Sequence, residues 1–140
     1  MIRVILDTNV WISLLLKRSE RSSIPQVLAL VFSDDVELFV PQELIEELRL
    51  AISKSVYLAS RIPKERVNTL VEQLYSSAFV PPVAEHQGKF TRDPKDDYLL
   101  VYSFLYAIDY LVTGDFDLLD LDLVGHLKIV TPSQFIALRQ

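Results

Sequence analysis

Short apolar runs alternate along this chain with longer stretches whose apolar positions recur at helical spacing. Residues 2–6 are apolar but for Arg3, the pattern of a short strand covered on both faces. Thr8 to Lys17 continues at helical period, with Thr8 and Asn9 in its first turn. Ser22 and Ser23 stand before Ile24-Pro25, a serine cap and a first-turn proline for a second helix that reaches about Ser33. Asp34-Asp35 marks a turn, residues 36–40 a second strand, and Pro41 opens a helix through about Lys54, with another from about Pro63 to Ser77. The run 78–80 reads as a third strand stopped by Pro81-Pro82. After a polar loop holding Gly88, a helix is expected from near Asp96 to Ala107. A strand over 110–113, a helical turn after Asp115, a strand over 128–130 and a last helix from Pro132 follow. Five strands interleaved with helices predict an α/β fold, a three-layer α/β/α sandwich around a five-stranded parallel sheet. No repeat, low-complexity tract or linker interrupts the pattern, so residues 1–140 read as one domain.

Half of the 140 residues are apolar, enough for a core without covalent staples. The absence of cysteine excludes disulfides, thiolate metal ligands and a cysteine nucleophile. With only His86 and His126 a zinc cluster is not expected, which leaves cations that prefer oxygen donors; neither histidine is assigned a role. The chain enters a strand almost at once, without a basic leader and apolar signal core, and no run approaches membrane-spanning length. A cytoplasmic location and no membrane partner are therefore expected. The formal net charge of −5 speaks against a broadly basic nucleic-acid surface, while leaving room for a basic rim around a bound cation.

The candidate chemistry lies in the acids. Asp7 ends the first strand and Asp115 follows strand 110–113, and in a parallel sheet the carboxyl ends of the strands open into the ligand crevice. Both carboxylates are expected to project into one hard-metal site. On residues 41–54, at roughly 100° per residue, Leu44, Ile45, Leu48, Ala51 and Ile52 form one stripe, and Glu47 lies nearer its edge than Glu43 or Glu46. Asp93, Asp96 and Asp97 gather at a helix start, where exposed N–H groups and the dipole favour anions, so Asp96 either caps that helix or points into the crevice. Plainer readings exist: Asp7 and Asp115 as caps or turn residues, Glu47 as a solvated helix face, the three aspartates as dipole partners alone. One cation site explains four acids at once, where the plainer readings must each hold separately.

Four stretches carry a family resemblance: Val4-Ile5-Leu6-Asp7-Thr8-Asn9-Val10, Glu46-Glu47-Leu48, Arg92-Asp93-Pro94-Lys95-Asp96, and Leu111-Val112-Thr113-Gly114-Asp115-Phe116-Asp117-Leu118-Leu119. In their order and spacing they resemble the PIN-domain ribonucleases, particularly the toxins of toxin–antitoxin operons. The resemblance implies a five-stranded parallel sheet and an acidic quartet of Asp7, Glu47, Asp96 and Asp115 that holds Mg²⁺ or Mn²⁺ and cleaves single-stranded RNA. It further implies supporting roles for Asn9 and Thr113, a homodimer, and an antitoxin protein as partner. One departure stands out: Tyr102-Ser103-Phe104 occupies a helix whose inner face in this family commonly carries a small residue.

Phosphodiester hydrolysis needs a water activated in line with the leaving oxygen, and a carboxylate-bound divalent ion serves that need. Asp7, Asp96 and Asp115 are then expected to bind metal, Glu47 to orient or deprotonate water, and Asp93 and Asp117 to support them from behind. RNA would dock through Lys17, Arg18 and Arg21 and through Lys89, Arg92 and Lys95, with Trp11 or Tyr98 for base stacking. The excess of apolar residues such as Leu14, Leu15 and Leu16 is consistent with self-association, with the dimer surface left unassigned. Two other readings compete. A haloacid-dehalogenase-type phosphatase also begins with an aspartate after an apolar strand, but needs a second acid where this chain has Asn9. A non-catalytic PIN-like module would bind RNA or protein without cutting.

Overall fold

A computed structural model of the chain describes residues 1–16, 24–83 and 97–139. Their elements run β1 (Ile2–Leu6), α1 (Thr8–Leu15), α2 (Ile24–Val31), β2 (Val36–Leu38), α3 (Gln42–Lys54), α4 (Val56–Arg61), α5 (Lys64–Ser77), α6 (Asp97–Leu105), β3 (Tyr110–Val112), α7 (Phe116–Leu119), β4 (Leu123–Val124), β5 (Leu127–Val130) and α8 (Pro132–Arg139).

The five strands lie in the order β2-β1-β3-β5-β4. β1 pairs in parallel with β2 and β3, in register Val4↔Leu38 and Val4↔Tyr110, and β3 pairs in parallel with β5, Leu111↔Ile129. Val4, Ile5, Leu6, Leu111 and Val112 are buried, as the near-continuous apolar runs of an inner parallel strand require. Arg3 is accommodated at the opposite end of β1, where its guanidinium donates to the Tyr106 carbonyl and lies 3.6 Å from Glu37, its partner across the sheet.

The expected α/β architecture is present, with two differences in the strands. Only four strands are parallel: β4 turns back antiparallel on β5, Val124↔Leu127, through a two-residue turn in which Gly125 takes φ +62°. That left-handed conformation suits a glycine, and Gly125-His126 between Val124 and Leu127 is a hairpin signal that the sequence reading passed over. Residues 78–80, expected as a strand, make a single parallel bridge, Phe39↔Phe79. Phe79 donates to the Leu38 carbonyl and accepts from Val40, and Pro81-Pro82, which have no N–H, end the pairing there.

The connection β1 to β2 runs one way along the sheet and β2 to β3 runs back across β1. α8 returns to pack on α2 as well as on β3 and β5, and α1 packs against α2 and α3. α3 begins one residue after Pro41 and α5 one residue after Pro63, each proline sitting at the cap position. Between them lies α4, capped by the Ser55 hydroxyl accepting from the Leu58 N–H, a short helix with no buried residue and so without the apolar stripe by which α3 and α5 were recognised. Leu15 is buried, and Leu14 and Leu16, partly buried, pack against the core.

Candidate functional site

The strand order reverses direction between β1 and β3, and the carboxyl ends of these two neighbours form the place where an open parallel sheet accepts ligands. Asp7 follows β1 directly and Thr113 follows β3 directly. The Asp7 N–H donates to the Val112 carbonyl at 2.9 Å, which ties the end of one strand to the end of the other.

Asp7 is 4 % exposed, and both of its carboxylate oxygens are held. Oδ1 accepts from the Thr8 N–H at 2.7 Å, as the cap of α1. Oδ2 accepts from the Thr113 hydroxyl at 2.7 Å and from Asn9 Nδ2 at 3.2 Å. Asn9 turns its other end to β3, where Oδ1 accepts from the Gly114 N–H at 3.2 Å, and Thr113 Oγ1 accepts from the Asp115 N–H at 3.0 Å. Asp115 caps α7 by accepting from the Asp117 N–H at 2.9 Å. Asp7, Asn9, Thr113, Asp115 and Asp117 therefore form one connected network across the two strand ends, and capping is part of how it is assembled. Burial pushes the Asp7 carboxyl above its ordinary value, and the negative charges of Glu47 and Asp115 push it further. Those charges act on Asp7 only because α3 and α7 bring both acids to the same crevice.

Glu47 comes from α3, partly buried, while Glu46 beside it is exposed. Its Oε2 accepts a 2.7 Å hydrogen bond from the Tyr98 hydroxyl on α6. Burial, the adjoining Glu47 charge and the hydrogen bond itself push the Tyr98 phenol far up, so Tyr98 is a proton donor at every ordinary pH. Thr8 Oγ1 lies buried beside that phenol.

Asp93 and Asp96, expected at the head of this helix, lie outside the described residues, as do Lys17, Arg18, Arg21, Lys89, Arg92 and Lys95. The acid of that stretch that the structure does place inside the protein is Asp97, 1 % exposed at the first position of α6 and one residue before Tyr98. Tyr98 to Leu105 is apolar but for Ser103, yet α6 buries Leu99, Leu100 and Tyr102 while Phe104 and Leu105 stand exposed, so the run alone gave no signal that Asp97 lies inside. Tyr98 and Trp11 are not stacking platforms. Both are buried, and the Trp11 indole donates to the Leu6 carbonyl. The aromatic ring that stands open beside the acids is Phe116, next to Asp115 and 79 % exposed.

The donors gathered here are oxygens alone, and a buried carboxyl under the charge of two others is the electrostatic setting that a hard divalent cation relieves. The residues fit such a group by donor chemistry. Among the described residues no three acids or histidines already close around a common point, so the carboxylates form an open set rather than a finished cage.

No curated protein matches the chain in a sequence search. The family profile of the PIN domain matches residues 3–117, from the first strand through Asp115 to Asp117, and with four-fifths of its length so covered the chain belongs to the PIN domain family, whose members are generally nucleases.

Proposed function

We propose that this protein is a divalent-metal-dependent endoribonuclease that cleaves single-stranded RNA, the toxin of a toxin–antitoxin pair, acting as a homodimer in the cytoplasm. The observation that carries the nuclease reading is the Asp7 carboxyl at the strand-order reversal, raised first by its burial and then by the neighbouring charges of Glu47 and Asp115. The RNA substrate, antitoxin and homodimer rest on the resemblance of the motifs. No helix among the described residues is long and apolar enough to cross a membrane.

In this reading Asp7, Asp115 and an acid from the start of α6 hold Mg²⁺ or Mn²⁺. Beside Asp96, which the motif resemblance assigns, Asp97 is a second candidate for that acid, being 1 % exposed at the first position of α6. The bound ion supplies charge neutralisation at the phosphate and acidity to the attacking water. Glu47, with one oxygen held by Tyr98, has the other available to orient that water and accept its proton. Thr113 and Asn9 fix the rotamer of Asp7, and Asp117 fixes Asp115 through its N–H. Phe116 offers the open face on which an unpaired base stacks.

Membership of the PIN family sets the phosphatase reading aside, and Asn9 spends its amide on Asp7 where that chemistry needs an acid. Purified protein incubated with a mixed single-stranded RNA pool and Mn²⁺ or Mg²⁺, against the same mixture in EDTA, tests the proposal. Cutting that needs metal supports it. A protein that binds RNA yet neither binds metal nor cuts is the non-catalytic module.

A further inference from the structure

α3 and α6 are joined by two tyrosine–glutamate bonds of the same kind, one helical turn apart. Tyr98 donates to Glu47 Oε2 at 2.7 Å, and Tyr102 donates to Glu43 at 2.8 Å to Oε1 and 2.9 Å to Oε2. Glu43 and Glu47 are four residues apart, as are Tyr98 and Tyr102, so each pair projects from one face of its helix. The pairing is crossed, the earlier glutamate with the later tyrosine, which sets the two helices antiparallel. Tyr102 OH also lies 3.2 Å from the Pro82 carbonyl, but a hydroxyl has one proton, and a charged acceptor takes it in preference.

We infer that this two-rung ladder sets the position of Glu47 against the acids at the carboxyl ends of β1 and β3, with Tyr98 as the positioning residue of the site and Tyr102 as its structural anchor. The inference rests on the metal-dependent reading above. Three observations carry it. The Glu47 rung lies at the site and the Glu43 rung one turn away from it, so the same chemistry serves two purposes. Tyr98 and Tyr102 are 6 % and 1 % exposed, so water does not compete for either carboxylate bond from the tyrosine side. Tyr98 follows Asp97 directly, so the bond that fixes Glu47 also fixes where α6 begins. Tyr102 thereby explains the departure noted in the sequence: a large ring fills the inner face of α6, stacked 6.3 Å from Tyr106, because its hydroxyl is needed on α3. With Oε2 held by the phenol, the Glu47 side chain loses the rotamer freedom that a metal or water would otherwise have to freeze out.

The test is Mn²⁺ affinity, read from the free-ion electron paramagnetic resonance signal, for the full chain and for Tyr98→Phe, Tyr102→Phe, Glu47→Gln and the Tyr98→Phe/Glu47→Gln double variant. Each variant is first checked by thermal unfolding. Tyr98→Phe should weaken Mn²⁺ binding about tenfold, the low end for loss of a partner behind the ion's direct ligands, because Glu47 bears on the ion through the water it orients, and Tyr102→Phe by less while lowering the unfolding temperature. In the double variant the tyrosine substitution should add nothing to Glu47→Gln, since it acts through that carboxylate. Equal affinity in wild type and Tyr98→Phe, or a Tyr98→Phe loss that persists in full without the Glu47 charge, overturns the inference while leaving the metal site standing. A wild-type chain that binds no Mn²⁺ overturns the metal reading and the inference with it.

Discussion

Thr113 donates a 2.7 Å hydrogen bond to Asp7 across 106 residues of sequence, joining the ends of two neighbouring parallel strands through one hydroxyl. The same oxygen accepts from the Asp115 N–H, so Thr113 aligns one acid with its proton and the next with its lone pair.

Thr113→Val keeps the volume and removes both interactions. Buried Asp7 Oδ2 is left with the longer Asn9 bond, and the Asp115 N–H loses its acceptor. Urea unfolding of the metal-free variant should show a loss of about 1–3 kcal/mol, the cost of leaving a buried polar group short of a partner. An unchanged unfolding midpoint would mean that the network does not hold the strand ends together.

The pH dependence of the metal-free protein follows from Asp7. Its carboxyl titrates above the ordinary value of 3.8, so between the two values the native state binds more protons than the unfolded chain. The contribution of this group to stability is complete below 3.8 and is lost as pH rises through the raised native value. Asp7→Asn removes the ionisation, so between acid pH and pH 7 the unfolding temperature of the metal-free variant should fall less than that of the wild type, whatever the amide loses in hydrogen bonds to Thr8 or Thr113. Mn²⁺ should raise the unfolding temperature of the wild type only. Calorimetry across pH with and without Mn²⁺ checks both.

At the head of α6, Asp96→Asn and Asp97→Asn separate the acid that the motif resemblance assigned from the buried acid that follows it, and Asp97→Asn should abolish metal-dependent cleavage. Parallel RNA cleavage assays on the two folded variants decide this. Activity lost in Asp96→Asn and kept in Asp97→Asn would leave the third ligand with the residue that the motif resemblance assigned.

Phe116→Ala should leave stability within about 0.5 kcal/mol, as befits a surface ring, and weaken single-stranded RNA binding about tenfold, within the range of one lost base stack. Fluorescence anisotropy with a labelled RNA in Ca²⁺ measures the binding, and thermal unfolding the stability.

The strands, helices and acids that begin or end an element were legible because their signals are local. Asp7 after an apolar run, Asp115 after another and prolines at helix starts each announce themselves within a few residues. What escaped depended on distant partners. Residues 78–80 have strand composition, but pairing is cut short by two prolines and depends on reaching β2. β4 is two residues long, below what periodicity detects, and only its glycine turn could have revealed it. Glu47 was set apart from Glu43 and Glu46 by helical angle, but the tyrosines that bond Glu47 and Glu43 stand 51 and 59 residues along the chain, and no local pattern announced them. Trp11 and Tyr98 were offered as surfaces for bases because aromatics beside acids fit RNA; burial assigns both to the interior and exposes Phe116 in their place.

The most direct measurement is cleavage of single-stranded RNA by the wild-type chain and by folded Asp7→Asn and Asp115→Asn variants at saturating Mn²⁺. Wild-type cutting that EDTA stops, reduced about a thousandfold in each variant as loss of a metal's several kcal/mol of charge stabilisation requires, is the result expected. Cutting that survives in both variants, or that EDTA leaves untouched, would contradict a metal site built on the ends of β1 and β3.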